Sequence, residues 1–470
     1  MPATDLPHFD AFKEHQQDQV LAYWDELDDA SRDQLAAQLA DVDLAQLATL
    51  VADQDESVDF GAMAMRAKLP PAIASDGSGM SWTLDDARKR GETALRNGEV
   101  AAVLVAGGQG TRLGFDQPKG MYPIGPVSGR TLFQFFADRL IATQTCYGQP
   151  VPLFLMTSAA TDLPTKTYFE TNKYLGLDPK QVTIFQQGTM PAVDAATGKL
   201  LLSSKDSLAL SPDGHGGTLR ALDRNGCFDQ MSEQGIKYLF YFQVDNPLVD
   251  LCDPVFIGHH LLADSELTTQ VIRKRYPKEK VGNVVQVDGK TQIIEYSDLP
   301  DQAAEMTDSA GGLKLWAGNI AVHLFNVDFL TRMKSNAAAL PFHRASKKVP
   351  FVDASGTVQH PAEPNAIKFE RFIFDLLPAA ERTLICEVDP ATSFAPVKNA
   401  DGAATDTPEL AKAAISDLHA SWISQCGGQV DSGVCVEINP RFALDAKAFC
   451  RKIPENLVVS EDRHFDVRLD

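Results

Sequence analysis

The strongest constraint on the fold is an apolar run that breaks into a glycine-rich loop and is followed by two cations, at residues 103–120 (VLVAGGQGTRLGFDQPKG). The run from Val100 to Val105 is apolar and β-branched, which is typical of a strand buried on both faces of a parallel sheet. Glycines after such a strand allow positive φ and carry no Cβ, so backbone N–H groups can turn toward an anion. Because Arg112 and Lys119 follow, the stretch predicts a phosphate-handling loop.

Two common nucleotide-binding loops do not fit this spacing. The dinucleotide fingerprint G-x-G-x-x-G requires a third glycine where the chain has Leu113. The P-loop pattern G-x-x-x-x-G-K-[ST] does not occur in the chain. A dehydrogenase is therefore disfavoured, and the remaining local alternative is a tight strand-to-helix turn with incidental charges.

The loop resembles the signature of the eukaryotic-type UDP-N-acetylglucosamine pyrophosphorylases, relatives of the UDP-glucose and UDP-sugar pyrophosphorylases. The resemblance covers roughly residues 10 to 401, and its strongest part is residues 107–114 (GGQGTRLG) with 118–120 (PKG). Further motifs follow in the family's order: residues 185–188 (FQQG), 212–217 (PDGHGG), 244–246 (VDN), 281–282 (VG), 295–297 (EYS), 317–320 (AGNI), 365–368 (NAIK) and 397–401 (VKNAD).

Length and charge agree with such an enzyme. A chain of 470 residues exceeds one ordinary domain and can hold a large α/β core with appendages. Its formal net charge of −20 argues against nucleic acid as a partner, because phosphate backbones bind basic surfaces. An acidic chain that handles phosphates must gather its cations in one place, helped by a divalent metal.

Cysteine usage and the first residues predict the compartment. The seven cysteines are an odd number without a C-x-x-C pair, which predicts free thiols rather than disulfides or a zinc site. The first residues lack the regions of a signal peptide, and no stretch approaches ~20 apolar residues. We expect a soluble cytoplasmic protein without a membrane partner, either a monomer or a weak homodimer.

Alternating strand-like and helix-like patterns predict an α/β fold. The expected core is a mostly parallel, Rossmann-like nucleotidyltransferase sheet of GT-A-like type, with helices on both faces. We expect a helical N-terminal segment at 1–95, a catalytic domain at 96–400 and a small C-terminal domain at 401–470, with a linker at 401–408. Ligands of such sheets bind beyond the carboxyl ends of strands, where the glycine loop falls.

Local patterns predict the individual elements. Helices are expected between Phe12 and Ala67, with Ser31 and Gln34 as a capping box. The turn at Asp288 predicts a hairpin within residues 270–325. Other strands are expected at 151–156, 182–185 and 238–244, and other helices at 162–174, 254–262, 367–377 and 409–425.

The resemblance implies that UTP and a sugar 1-phosphate give a UDP-sugar and pyrophosphate. The nucleophile is a phosphate oxygen that is already anionic at neutral pH, so the reaction needs charge neutralisation rather than a general base. Arg112 and Lys119 would neutralise the triphosphate, and Lys398 would bind the sugar phosphate or the reacting α-phosphate. These three are the expected catalytic residues, and Lys368 is a second cation candidate.

The resemblance also implies a nucleotide site with magnesium. Asp245 follows an apolar strand, where its carboxylate could hold Mg²⁺ between phosphates or, alternatively, close an Asx-type turn. Gln187 and Gly214 are expected to select uracil. The expected nucleotide-binding residues are Val105, Ala106, Gly107, Gly108, Lys119, Gln187, Gly214, Asp245 and Lys368.

The resemblance implies a set of sugar-binding residues and one departure from the family's pattern. The expected sugar-phosphate residues are His215, Glu295, Tyr296, Asn319 and Lys398. The N-acetylglucosamine enzymes usually have asparagine where this chain has His215, and Gly-His-Gly is more typical of the UDP-glucose and UDP-sugar branches. N-acetylglucosamine 1-phosphate is the first expectation, a UDP-glucose, UDP-galactose or broad UDP-sugar pyrophosphorylase the second, and an inactive nucleotide-sugar-binding scaffold the third.

Overall fold

The computed structural model describes residues 9–52, 59–336 and 340–467. By internal contacts the chain divides into two compact units, which do not follow the three consecutive domains predicted from the sequence; those boundaries stay a prediction. The smaller unit comprises Met1–Asp59, Gln187–Thr218 and Ala337–Asp375. The sheet unit comprises Phe60–Gln186, Leu219–Asn336 and Leu376–Asp470.

Fifteen α-helices lie in the described residues: α1 Phe9–Glu14, α2 Asp29–Ala40, α3 Leu44–Ala52, α4 Phe60–Arg66, α5 Leu84–Arg96, α6 Leu132–Tyr147, α7 Asp162–Thr171, α8 Thr218–Arg224, α9 Cys227–Glu233, α10 Pro254–Leu262, α11 Asp301–Ala304, α12 Val327–Met333, α13 Pro390–Ser393, α14 Pro408–Gln425 and α15 Ala446–Cys450.

The strands of the same residues are β1 Ala72–Ile73, β2 Val100–Val105, β3 Leu153–Thr157, β4 Val182–Gln186, β5 Thr189–Pro191, β6 Val193–Asp194, β7 Leu202–Ser204, β8 Ser207–Leu208, β9 Leu210–Pro212, β10 Tyr238–Gln243, β11 Leu267–Arg273, β12 Gly282–Val287, β13 Lys290–Ile294, β14 Ala317–Asn326, β15 His343–Lys347, β16 Phe351–Val352, β17 Val358–Gln359, β18 Ala366–Glu370, β19 Thr383–Glu387, β20 Gln429–Val430, β21 Val436–Ile438, β22 Val458–Val459 and β23 Arg463–Phe465.

One large sheet organises the sheet unit, with strand order β1-β19-β11-β14-β10-β2-β3-β4. Neighbouring strands on this path are parallel except at β14, which runs antiparallel to β11 and β10. The β12–β13 hairpin joins β14, as the turn at Asp288 predicted. The predicted α/β class with a mostly parallel sheet is therefore confirmed.

The buried strand β2 lies between β10 and β3, and helices α5 and α10 pack unusually closely beside each other. A Cβ atom added at Gly258 would lie 1.7 Å from the carbonyl oxygen of Ala87. One added at Gly91 would lie 1.9 Å from that of Pro254. Glycine at both positions therefore lets the backbones of α5 and α10 approach each other directly.

The N-terminal helices share a core with the later segments of the smaller unit. Phe12, Val20 and Leu35 pack in one cluster with Phe369. The predicted capping box at Ser31 is wrong, because α2 begins three residues earlier with Asp28 as its N-cap, accepting the Ser31 N–H at 2.8 Å. The helices predicted for residues 53–58 lie outside the described residues, as do residues 1–8.

The helix predicted at 367–377 is also wrong. Residues Ala366–Glu370 form β18, which pairs with β15 and β6, and a short 3₁₀ helix follows at Ile373–Ala379. The run is rich in β-branched and aromatic residues, which suit a strand that has partners on both edges. Its apolar spacing alone could not distinguish the two structures.

The C-terminal residues 401–467 belong to the sheet unit and contain a disulfide. Glu437 accepts the N–H groups of Val127 and Ser128 at 2.9 and 2.8 Å, which ties β21 to the segment before α6. Cys426 and Cys450 are bonded, and the other five cysteines are free. The expectation of seven thiols is wrong, because folding brings the ends of α14 and α15 together.

No single helix of the described ranges is long and apolar enough to cross a membrane. Helices α2 and α3, bent by 62° at their junction, would meet that test as a pair by length and composition only, which is weak evidence.

Candidate functional site

The predicted site residues fall in both units, and each group is described within its own unit. The sheet unit contains Val105, Ala106, Gly107, Gly108, Arg112, Lys119, Asp245, Glu295, Tyr296, Asn319 and Lys398. The smaller unit contains Gln187, Gly214, His215 and Lys368.

The glycine loop leaves the carboxyl end of β2 and is fixed by its neighbours. Ala106 N–H donates to the carbonyl of Met156 at 2.8 Å, which continues the pairing with β3. Ser158 Oγ donates to the carbonyl of Gly107 at 2.8 Å, and the Lys119 N–H donates to that of Gly108 at 3.0 Å. Hydrogen bonds therefore hold the backbone of the loop at Gly107 and Gly108.

The loop glycines meet only part of the expectation. Positive φ occurs at Gly114 (68°), whereas Gly107 and Gly108 are not among the positive-φ residues. A Cβ at Gly110 would lie 2.7 Å from the carbonyl oxygen of Phe115, so glycine is required there for packing. A Cβ at Gly108 would meet nothing within 4 Å, so the exposed backbone there is open to a ligand.

The carboxyl end of β10 meets the segment that carries Lys398. Val244 N–H donates to the carbonyl of Val105, which places Asp245 beside the start of the glycine loop. The carbonyl of Asp245 in turn accepts the N–H of Val397 at 2.8 Å. A main-chain hydrogen bond thus joins the motif at 244–246 to the motif at 397–401. The side chain of Asn246 adds a hydrogen bond to the Ser393 carbonyl, which lies 147 residues away in sequence.

Three of the cations expected from the sequence, Arg112, Lys119 and Lys398, are gathered here. Lys119 Nζ donates to the carbonyl of Val397 at 3.1 Å. Burial lowers the pKa of Lys119, the Asp245 carboxylate opposes that shift, and the charges of Lys398 and Arg112 lower the pKa further. The loop cations, the carboxylate and the distant lysine therefore share one electrostatic environment, which the sequence predicted only through its motifs.

The segment after Lys398 is folded, in contrast to the linker predicted at 401–408. The N–H groups of Lys398 and Asn399 donate to the carbonyl of Asp406 at 2.8 and 3.0 Å. Thr407 then caps α14, its Oγ accepting the Leu410 N–H at 3.2 Å. Small and polar residues here form a closed loop because their backbone groups bond back to the Lys398 segment.

Glu295 and Asn319 also come together in the sheet unit, around Gly282. A Cβ at Gly282 would lie 3.0 Å from Glu295 Oε1 and 3.7 Å from the Cβ of Asn319. Asn319 is buried, and its Oδ1 accepts the N–H of Ala321 at 3.1 Å. Tyr296 is 46% exposed, so its ring is not part of this packed group.

In the smaller unit, residues 213–217 pack directly on the backbone of Arg371. The Arg371 N–H donates to the carbonyl of Asp213 at 2.8 Å, and the Gly216 N–H donates to the carbonyl of Arg371 at 2.7 Å. Gly214 has φ 81°, and a Cβ there would lie 2.4 Å from the Arg371 carbonyl oxygen. Glycine at 214 is therefore required by a close approach within the protein.

His215 is held in one orientation by its neighbours. Its ring stacks on Phe372 with centroids 5.3 Å apart, and Nδ1 accepts the Ile373 N–H at 3.3 Å. Burial, aided by the charge of His343, lowers the pKa of His215 to about 4. At neutral pH the imidazole is uncharged, and because Nδ1 accepts a hydrogen bond, its proton is on Nε2.

Gln187 and Lys368, the other predicted site residues of this unit, lie at two different strands of it. Gln187 is buried at the start of the segment that leads into β5. Lys368 lies on β18 opposite Ala345 of β15 and is partly exposed, so it belongs to a small sheet rather than to a helix end.

From the sequence, no role was assigned to the residues that hold the site in place. Ser158 fixes the Gly107 carbonyl, and Asn246 binds the Ser393 carbonyl at 2.8 Å while accepting the Ala395 N–H at 3.1 Å. Asp406 closes the Lys398 segment. A polar residue directly after β3 was a usable signal for Ser158, whereas Asp406 in an apparent linker gave none.

A family model described as UTP–glucose-1-phosphate uridylyltransferase matches residues 76–461. The chain belongs to this family. It is 37% identical over 448 residues to the UDP-N-acetylglucosamine pyrophosphorylase of Saccharomyces cerevisiae, covering 92% of this chain and 94% of the yeast protein. It is 34% identical to UDP-N-acetylglucosamine diphosphorylase 2 of Arabidopsis thaliana, covering 97% and 92% of the two chains.

A solved relative within the family has the same fold over nearly the whole chain. The UDP-N-acetylglucosamine pyrophosphorylase of Trypanosoma brucei, solved with an inhibitor, superposes with a TM-score of 0.82 at 26% identity. The match covers 96% of this chain and 97% of that one. Family membership therefore rests on sequence and on fold together.

Proposed function

We propose that the protein is a uridylyltransferase that converts UTP and N-acetylglucosamine 1-phosphate to UDP-N-acetylglucosamine and pyrophosphate. The observation that carries the proposal is the shared environment of Arg112, Lys119, Asp245 and Lys398 at the carboxyl ends of β2 and β10. Parallel α/β sheets bind their ligands beyond these strand ends. A cluster rich in cations in a chain of net charge −20 fits a polyanionic substrate.

In the proposed reaction a phosphate oxygen of the sugar phosphate attacks the α-phosphorus of UTP. The bond to the bridging oxygen of the β-phosphate breaks, and pyrophosphate leaves with that electron pair. Arg112 and Lys119 neutralise the triphosphate, while Lys398 stabilises the charge that builds on the α-phosphate during attack. Because the two substrates are anions, bringing them together is the main task of these cations.

One carboxylate of the site, that of Asp245, fits a divalent cation. Described residues contain no group of three or more His, Cys, Asp or Glu side chains that could hold a metal. Mg²⁺ does not need one, since it is commonly bound by one or two carboxylates plus phosphate oxygens and water. Asp245 would supply the carboxylate, and the ion would add positive charge between the phosphates.

The remaining nucleotide contacts are assigned from the sequence motifs. In the proposal, Val105, Ala106, Gly107 and Gly108 approach the nucleotide with their backbone, and Gln187 and Gly214 select uracil. Lys368 adds a charge for the phosphates. The exposed backbone at Gly108 supports the first assignment.

For the sugar, we assign Glu295, Asn319 and the backbone of Tyr296 to the hydroxyl groups, and His215 to the substituent at C2. The proton on Nε2 makes His215 a hydrogen-bond donor, which suits an acetamido carbonyl as well as a hydroxyl oxygen. The names of the yeast, plant and trypanosome relatives favour the N-acetylated sugar.

The finer structural and cellular predictions belong to the same proposal. We class the sheet as Rossmann-like and GT-A-like, with helices on both faces. We further propose a cytoplasmic enzyme that works without nucleic acid or membrane, as a monomer or weak homodimer.

The deciding experiment measures pyrophosphate release from UTP and Mg²⁺ with four sugar 1-phosphates: N-acetylglucosamine, N-acetylgalactosamine, glucose and galactose. We expect the N-acetylated sugars to give the highest kcat/KM. Preference for glucose or galactose would replace the proposed sugar with that of a broader UDP-sugar pyrophosphorylase. No release with any of the four would leave an inactive nucleotide-sugar-binding scaffold.

A further inference from the structure

The loop that follows Lys398 is held closed by hydrogen bonds to Thr405 and Asp406, and Asp406 accepts two of them. Its main-chain carbonyl accepts two N–H groups, from Lys398 at 2.8 Å and Asn399 at 3.0 Å. The side-chain amide of Asn399 donates to the carbonyl of Thr405 at 2.9 Å. Three hydrogen bonds thus hold the backbone around Lys398 to the chain directly before α14.

The residue before Lys398 is anchored independently. Val397 donates its N–H to the carbonyl of Asp245 and accepts a hydrogen bond from Lys119 Nζ. Lys398 therefore follows an anchor at the end of β10, and its own N–H is fixed by Asp406. Because the backbone is held at both places, the region that the flexible side chain of Lys398 can reach is restricted.

Asp406 can make these contacts because of its backbone conformation. Its φ is 60°, in the left-handed region that Asp and Asn tolerate and β-branched residues do not. In this conformation the chain turns so that the Asp406 carbonyl receives both N–H groups, and the next residue, Thr407, begins the cap of α14.

The charge of Asp406 is a weaker explanation for its presence. Its carboxyl group is half-buried, and burial raises its pKa, while Lys398 and Arg275 favour the ionised form and Asp245 and Glu279 oppose it. The two cations do not outweigh burial and the two acids. Asparagine also adopts positive φ, so it would preserve the left-handed backbone at position 406 and the hydrogen bonds to its carbonyl.

We propose that Asp406 is a positioning residue for Lys398, acting through its left-handed backbone and its carbonyl group. The inference rests on the proposed function, in which Lys398 acts on the reacting phosphates. It predicts that substitutions at 406 act according to their backbone preference rather than their charge.

The test compares Asp406→Val with Asp406→Asn, which remove the same charge but differ in tolerance of positive φ. We expect Asp406→Val to lower kcat by ~10²-fold, the scale of effect expected when a reacting group is misplaced by about an ångström. Its KM for UTP should stay within about threefold, because the interaction lost is made mainly in the transition state. Asp406→Asn should keep kcat within the same threefold range. An equal loss in both variants would show that the carboxylate matters and would overturn the inference.

A matched control is available at Asp288, a second left-handed aspartate of the sheet unit. Its φ is 52°, and it lies exposed in the β12–β13 turn. Asp288→Val introduces the same strain away from Lys398, so we expect normal kcat. If Asp288→Val lowers kcat as much as Asp406→Val, general strain explains the loss and the positioning role fails. Circular dichroism of each variant checks that the fold is present.

A double-substitution cycle separates this inference from the proposed function. Because Asp406 acts through Lys398, adding Asp406→Val to Lys398→Ala should not reduce kcat further. A further reduction of the same size as in the wild-type background would overturn the positioning role. If Lys398→Ala is slow while Asp406→Val is normal, the inference alone fails. If Lys398→Ala is itself normal, the role proposed for Lys398 fails, and the inference falls with it.

Discussion

Lys119 Nζ donates a hydrogen bond to the carbonyl of Val397, so a lysine of the glycine loop supports the backbone directly before Lys398. This contact joins chain segments 278 residues apart. It gives Lys119 two tasks, a positive charge near the proposed triphosphate and a structural support for Lys398.

Lys119→Met should separate the charge from the length of this side chain. We expect kcat to fall by ~10²–10³-fold, as when one preorganised donor is removed from a transition state. The free energy of unfolding should change by only about 1 kcal/mol, the usual net value of one hydrogen bond. Steady-state kinetics and urea unfolding measure the two effects. Lys290→Met, at an exposed lysine of β13, is the control, and an equal fall in kcat there would remove the special role of Lys119.

His215→Asn should preserve activity with N-acetylated sugars, whereas His215→Phe should not. The asparagine amide can donate a hydrogen bond as the neutral imidazole does, while phenylalanine keeps the stacking on Phe372 and removes the donor. We expect the Phe variant to lose roughly 1–3 kcal/mol of transition-state stabilisation, because a buried acceptor is left unpaired. Values of kcat/KM for each sugar 1-phosphate measure this; equal values for both variants would exclude a sugar contact.

His260 should make the protein less stable in mild acid. It is buried between the hydroxyl of Thr268 and the amide oxygen of Asn326, and burial lowers its pKa to about 4. An unfolded histidine, with pKa ~6.5, binds a proton as pH falls through 6.5, while the folded one stays neutral until about pH 4, so stability is lost across that window.

Between pH 7 and pH 5, the difference between the folded and unfolded pKa values of His260 contributes about 2 kcal/mol to the fall in the free energy of unfolding. His260→Gln removes the titrating group and should reduce the fall by that amount, as measured by urea unfolding at both pH values. An unchanged difference between the two pH values would mean that other groups cause the acid sensitivity.

The disulfide should stabilise the C-terminal residues. Cys426 and Cys450 are 24 residues apart in sequence. Closing a loop of that length lowers the conformational entropy of the unfolded chain, which raises the free energy of unfolding by about 3 kcal/mol. We expect Cys426→Ala with Cys450→Ala to lower the unfolding free energy by about this amount. A thiol assay of the unreduced, denatured protein should count the five free cysteines, and a count of seven would contradict the bond.

Chelation should abolish pyrophosphate release, because Asp245 and phosphate oxygens together suit a divalent cation. Activity should return when Mg²⁺ is added after EDTA treatment. Asp245→Asn should raise the Mg²⁺ concentration needed for half-maximal activity, which distinguishes a metal ligand from a residue of the turn. Full activity in metal-free buffer would remove this role from Asp245.

The sequence predicted the parts of the fold that local patterns encode. The strand at Val100–Val105 and the hairpin turn at Asp288 could be found because buried strands and tight turns have short-range signatures. The run at 367–377 could not be assigned from its own residues, because its strand is formed by pairing with His343–Lys347, which lies in a different part of the sequence.

The candidate site shows the same division between local and distant information. Motifs identified Lys119, Asp245 and Lys398 individually, but the contacts among them depend on main-chain carbonyls, which every residue has and no motif marks. The glycines illustrate a further limit. Gly214 could be noticed from its motif. Glycine is needed there because the backbone of Arg371 lies too close for a Cβ atom, and the sequence did not single out Arg371.

The core of the smaller unit joins distant parts of the chain, and this has a consequence for biosynthesis. The Tyr23 hydroxyl donates to the carbonyl of Asp353, a contact that spans 330 residues. At ~5–20 residues per second, the ribosome takes roughly a quarter of a minute or longer to supply that partner. Until then the apolar faces of the first helices, with Val20 and Leu35, lack the Phe369 side chain that completes their core. This is the stretch of the nascent chain that a chaperone would have to cover.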